Sequence, residues 1–200
     1  MKIDLFSQYP ALADAKESLE QARELLIGTY RSGGKVLLCG NGGSAADCDH
    51  IAGELLKGFA SQRPLTPELR AAMGDDLADR LQMGLPAISL PSQGAVISAF
   101  CNDVDAETVY AQLTLAMAGQ GDLLWCISTS GNSENVVYAA QAAKALGLSV
   151  IVMVGECTCA LDKYADVALH APATETWRVQ EYHLPMYHWL CAEIEDHFFC

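Results

Sequence analysis

Apolar residues recur every three to four positions from Ala11 to about Arg31 (Leu12, Ala15, Leu19, Ala22, Leu25, Leu26, Tyr30), which predicts a long amphipathic helix. The apolar run Lys35 to Cys39 ends at Gly40 and reads as a short buried strand. Ser44 then stands where it can N-cap a helix running through Lys57. After a polar stretch with Pro64 and Pro67, Thr66-Pro67-Glu68 opens a further helical pattern to about Gln82. Buried strands are predicted at Pro86 to Leu90, Asp122 to Ser128 and Ser149 to Gly155, with a last one at Asp166 to His170. Helical patterns fill Ala106 to Ala118, Ser133 to Leu146 and Glu175 to His197.

Strands that alternate with helices need crossover connections and have both faces covered. The pattern therefore predicts a doubly wound α/β fold, with a mostly parallel sheet, helices on both faces and long helices at both ends of the chain. No repeat, low-complexity stretch or linker interrupts residues 1–200, so one domain is expected.

Composition narrows the class. Hydrophobic residues make up 51% and charged ones 18%, enough to bury a sizeable core. The net charge of −13 and a pI near 4.6 oppose non-specific binding to nucleic acid or to an anionic membrane. An anionic small molecule is not opposed, because a local site can differ from the global charge. No apolar run approaches the roughly 18 residues of a membrane helix. MKIDLFSQYPAL has no apolar core of the secretory kind, so a cytoplasmic protein is expected. Eight cysteines occur without a CxxC pair; Cys157-Thr158-Cys159 alone is a weak metal signal, and reduced thiols are expected.

Two loops carry unusual chemistry, each expected at the carboxyl end of a strand, where ligands of such sheets bind. CGNGGSAADCDH (39–50) places Gly42-Gly43 in a tight turn and Ser44 at the start of a helix. ISTSGNSENV (127–136) gathers Ser128, Thr129, Ser130 and Ser133 around Gly131 just before another helix. Hydroxyls, free amides and a helix dipole can hold a phosphate without Lys or Arg, although such clusters also simply form turns and caps. A Walker A sequence is absent, and Gly40-Asn41-Gly42-Gly43-Ser44-Ala45 lacks the third glycine of a dinucleotide loop.

CGNGGSAAD followed by ISTSGNS in an alternating α/β chain resembles the sugar isomerase (SIS) domains, and in particular the phosphoheptose isomerases, along almost the whole length. The resemblance implies an SIS-type sheet and an aldose–ketose isomerase acting on sedoheptulose 7-phosphate. It assigns the phosphate to Ser44, Ser128, Thr129, Ser130 and Ser133, and the sugar to Asn41, Gly42, Gly43, Asn102 and Asp103. It also implies a zinc site that doubles as the catalytic centre, made of His50, Glu54, Gln180 and His188, with Gln180 also contacting substrate. A cytoplasmic homotetramer with sites at subunit interfaces, feeding a nucleotide-activated heptose, completes the expectation.

The residues themselves are compatible with that chemistry. His50 and Glu54 are spaced i, i+4 and share one helix face, and VQEYHLPMYH (179–188) adds Gln180, His183 and His188 on the last helix. Isomerisation through an enediol needs a base, for which Glu54 is the candidate, and an acid/base at the other position, for which His188 is. Glu54 cannot be a tight zinc ligand and a free base at once, so either it exchanges roles or the metal is partly dispensable. Gln180 and His188 lie eight residues, about 12 Å, apart on a straight helix. Either Pro185 bends that helix or neighbouring subunits share the site. Residues 60–84 exceed the shorter family members by a helical insert, and Pro185 departs from the pattern close to His188. A non-catalytic SIS protein, binding a sugar phosphate or a protein partner of the replication-initiator-associating type, is the alternative; that branch lacks the Glu and final His present here.

Overall fold

Five short strands, each dominated by buried residues, form one parallel sheet: β1 Val36–Gly40, β2 Ala87–Ser89, β3 Leu123–Ile127, β4 Ser149–Val154 and β5 Val167–His170. The computed structural model describes residues 3–200; Met1 and Lys2, the start of the segment read for a secretory leader, lie outside them. The strand order is β2-β1-β3-β4-β5. Around the sheet run α1 Leu5–Gln8, α2 Lys16–Arg31, α3 Gly43–Leu56, α4 Pro67–Met73, α5 Asp75–Ala78, α6 Gly94–Asp103, α7 Val109–Met117, α8 Glu134–Ala145 and α9 Thr176–Phe199.

The period-2 alternation of the strands divides the core in two. Val36, Leu38, Trp125, Ile127, Ile151 and Met153 face one layer, built from α2, α3 and α9 through Leu19, Leu26, Ile51, Leu55, Met186, Tyr187 and Leu190. Leu37, Cys39, Leu124, Cys126, Val150 and Val152 face the other, built from α7 and α8 through Val109, Leu113, Val136, Ala139 and Ala143. The eight cysteines are free thiols; Cys39 and Cys126, register partners on β1 and β3, pack with their sulfurs 3.6 Å apart in this second layer. Among the described residues no helix is long and apolar enough to cross a membrane.

The doubly wound expectation holds, and with it the two long terminal helices. The amphipathic stretch from Ala11 begins as a 3-10 turn, Pro10–Ala15, before α2. Three local expectations differ. Ser44 is not the N-cap of its helix: Gly42, at φ +55°, caps it, and Ser44 is a buried residue of the first turn. The pattern from Thr66 to Gln82 is two short helices, because Gly74 at φ +81° breaks it after Met73. α6 is absent from the sequence reading; none of its residues is fully buried, and Ile97 and Phe100 pack only partly buried against the second layer.

The sheet has one reversal. From β1 the chain crosses to β2 on one side and then to β3 on the other, so the loops after β1 and β3 diverge. That is the topological switch point, where parallel sheets open a crevice for ligands.

Candidate active site

The two glycine- and hydroxyl-rich loops meet at this reversal. Asn41, after β1, and Asn135, in the first turn of α8, exchange side-chain amide hydrogen bonds in both directions, at 2.8 and 2.9 Å. A side chain at Gly40 would collide with the carbonyls of Ile127 and Ser44, so only glycine allows the approach. Tyr110 fixes the same point by donating its hydroxyl to the Gly40 carbonyl at 2.8 Å. Ser128 and Ser133 hydroxyls lie 3.3 Å apart across the second loop, and Ser130 Oγ accepts from the Asn132 amide at 3.2 Å. The amides of Thr129, Ser130 and Ser133 have no partner among the described residues. Two helix N-termini, of α3 and α8, therefore present hydroxyls and uncommitted N–H groups to one crevice, an anion-binding arrangement.

The titratable cluster lies along α3. His50 Nε2 is 3.2 Å from Glu54 Oε1, as expected one turn apart. His188 of α9 brings its Nε2 to 3.4 Å from His50 Nε2. Lys57 donates to the second Glu54 oxygen at 3.1 Å. Burial, and then the adjacent His50, holds the His188 imidazole below its ordinary pKa, so it is neutral near pH 7. Sequence reasoning missed Asp47 and Tyr187. The Tyr187 hydroxyl sits 3.2 Å from Asp47 Oδ1 and 3.0 Å from His50 Nδ1. Burial raises the Asp47 pKa, and burial together with Asp47 raises that of Tyr187, which stays a protonated donor. Asp47 precedes His50 by three residues on one helix face; that spacing was the available signal.

The residues named from sequence separate into groups. Gln180's amide occupies the space that a Cβ on Gly43 would need, while His188 touches His50. Gly43 and His50 are seven residues apart on α3, and Gln180 and His188 eight apart on α9, so the two helices run side by side in the same direction. Gln180 thus lies with the loop end, about 10 Å from His50. α9 continues through Pro185, and His183 turns to the sheet, fully buried, with Nε2 3.2 Å from the Val154 carbonyl. Asn102 and Asp103 bond to each other at 2.7 Å on the exposed end of α6, and no hydrogen bond ties them to either loop among the described residues.

Among the described residues no set of three or more His, Cys, Asp or Glu side chains closes into a metal cage. The separations of His50 from Glu54 and from His188 are nonetheless close to the roughly 3.4 Å edge of a tetrahedron with 2.0–2.1 Å bonds. Two imidazoles and a carboxylate are zinc-type donors, and they crowd electron-rich atoms that a proton or a cation must hold together. The donors are thus of a type and spacing that zinc accepts, without closing on one ion among the described residues.

The insert's root reaches the same place. Arg63, fully buried, donates to Glu195 Oε1 at 2.8 Å and to the carbonyls of Leu55 and Glu54 at the end of α3. Glu195 also accepts the amides of Phe59, Ala60 and Ser61 at 2.7, 2.7 and 2.9 Å. This lays the Phe59 ring beside His188, centroids 5.5 Å apart.

A parallel sheet with hydroxyl-rich loops at its reversal and a His–Glu–His cluster about two helical turns further along α3 defines an α/β protein built to take a small anionic ligand at its switch point. The family model described as SIS domain matches residues 8–81 and 71–155, and the chain belongs to that family. A phosphoheptose isomerase of Helicobacter pylori strain P12 is 38% identical over 94% of this chain and 88% of its own. One from Crocosphaera subtropica is 38% identical over 91% of this chain and 83% of its own. The solved phosphoheptose isomerase of Neisseria gonorrhoeae superposes with a TM-score of 0.77 at 31% identity, covering 94% of this chain and 92% of its own. Within the SIS family the chain falls in the phosphoheptose isomerase branch, and it is a sugar-phosphate isomerase.

Proposed function

We propose that the protein interconverts sedoheptulose 7-phosphate and D-glycero-D-manno-heptose 7-phosphate through an enediol. The observation that carries this reading is the placement of the His50–Glu54–His188 cluster about two helical turns, roughly 10 Å, beyond the loop end of α3. That span suits an open-chain sugar anchored by a terminal phosphate and reacting at its far end. Ser44, Ser128, Thr129, Ser130 and Ser133 bind the phosphate, with the helix dipoles of α3 and α8 behind them. Asn41, Gly42, Gly43 and Gln180 line the sugar, and Asn102 and Asp103 are carried over as sugar contacts on the resemblance alone.

Glu54 removes the proton from C1 of the ketose while His188 protonates the C2 oxygen and takes the proton of the C1 hydroxyl. Glu54 then returns its proton to C2, which yields the aldose with no net proton change. His50, Glu54, His188 and Gln180 would hold zinc, which when bound supplies Lewis acidity at the carbonyl. Since Gln180 of the same chain lies about two turns from His50, the spacing favours a site shared between subunits, as in the cytoplasmic homotetramer that the resemblance implies, over a bend at Pro185.

Incubation with sedoheptulose 7-phosphate, with chelator or added zinc, tests the reading. Wild type is expected to form the aldoheptose, and Glu54→Gln and His188→Ala to lose at least about 100-fold in kcat. Unaltered turnover in both variants sinks the mechanism; tight binding of the sugar by an inert wild type sinks the reaction. Activity followed through a dilution series against oligomeric state checks the shared site, and full activity in a monomer overturns it.

A further inference from the structure

Tyr187 of α9 touches Asp47 and His50 on α3 and packs against its own neighbour His188. We infer that Tyr187 and Asp47 are positioning residues that lock His50 in the tautomer with its proton on Nδ1, leaving the Nε2 lone pair toward Glu54 and His188. The inference rests on the isomerase reading only where it concerns turnover.

A tyrosine hydroxyl has a single proton for two neighbours. If it goes to His50 Nδ1, the Asp47 Oδ1 carboxylate 3.2 Å away faces only a lone pair. Asp47 Oδ2 is already buried without a partner, so that choice leaves the whole carboxylate unsatisfied, at a heavy desolvation cost. The proton therefore goes to Asp47, and the Tyr187 oxygen accepts from His50 Nδ1–H. The ring N–H donates to the hydroxyl and the hydroxyl to the carboxylate, so the two hydrogen bonds run one way and end on Asp47. The far side of the His50 ring is a bare Nε2, 3.2 Å from Glu54 Oε1 and 3.4 Å from His188 Nε2. Whatever holds those atoms together, the His188 proton or a bound cation, meets a lone pair that is already presented. Tyr187 can do this because it is fully buried in the first core layer, its ring edge-on to His50 with centroids 5.4 Å apart. The hydroxyl cannot swing to water, and an outer partner of this sort typically matters 10–100-fold in activity or metal affinity.

The decisive measurement is the side-chain nitrogen NMR of protein labelled in its five histidines, as purified and after chelator treatment. Wild-type His50 is expected to carry its proton on Nδ1 in both samples. In Tyr187→Phe the Nε2–H form should appear after chelation, with kcat lowered about 10–100-fold and KM little changed. Asp47→Asn should shift the tautomer the same way only while Tyr187 is present, so the double variant matches Tyr187→Phe alone. An Nε2–H His50 in the chelated wild type, or a tautomer unmoved in Tyr187→Phe, overturns the inference. A locked tautomer in a protein that leaves sedoheptulose 7-phosphate untouched upholds the inference and rejects only the substrate.

Discussion

At the scale of single residues, Gly43 shows how little room the loop end leaves. Its missing side chain is the seat of the Gln180 amide, so Gly43→Ala meets the far end of a flexible chain rather than backbone. Because the helical position suits alanine, the fold is expected to tolerate the change within about 1 kcal/mol. Gln180 must move, and the expected result is a several-fold rise in KM with the melting temperature nearly unchanged. Steady-state kinetics beside thermal unfolding checks it; an unaltered KM would separate Gln180 from the sugar. The serines and glycines of both loops, and the His50–Glu54 pair, could be read from the sequence because each lies within one short segment. Asp47 and Tyr187 could not, because their meeting depends on which face of α9 packs on α3, a relation between residues 140 positions apart.

Among the elements, the stretch from the end of α3 to Arg63 is the least expected. Its last residues, 60–63, open the helical insert read from sequence; in the structure the stretch is pinned by the buried Arg63–Glu195 ion pair. Burial alone would raise the Glu195 pKa, but the Phe59 and Ala60 amides and Arg63 outweigh it and hold the carboxyl below the usual range. Glu195→Gln leaves the Arg63 charge buried without its counterion and is expected to cost about 3–5 kcal/mol near pH 7. A depressed folded-state pKa stabilises above the unfolded value and is lost as pH falls through the folded one. The gap between wild type and variant should therefore shrink on acidification below about pH 4.3. Urea titrations at pH 7 and pH 4 check both statements. The strands and long helices were legible because burial imposes a period. α6, with no fully buried residue, and the break at Gly74 were not, since a single glycine inside a helical pattern does not reveal its φ.

Over the whole molecule, pH acts through the core as well as the surface. His183 lies in the layer beneath α9, with Nδ1 unpartnered and burial pushing its pKa down to about 4. The unfolded imidazole takes a proton near pH 6.5 and the folded one does not, so stability rises with pH from about 4 to 6.5. The difference in melting temperature between wild type and His183→Gln is expected to narrow from pH 7 to pH 5. A constant difference would deny the buried neutral state.

The parallel packing of α3 against α9 has one more consequence, for the order in which the molecule comes into being. His50 belongs to the first quarter of the chain and His188 to its last helix, 138 residues later. During synthesis the two loops and the second core layer can form first, but the first layer takes Met186, Tyr187 and Leu190 from α9 and stays open until that helix is made, and chains grow at only about 5–20 residues per second. A growing chain thus leaves the α2–α3 side of its core uncovered for seconds before the helix that completes it exists. A translation product stopped short of α9 would expose that apolar layer and is expected to aggregate rather than fold.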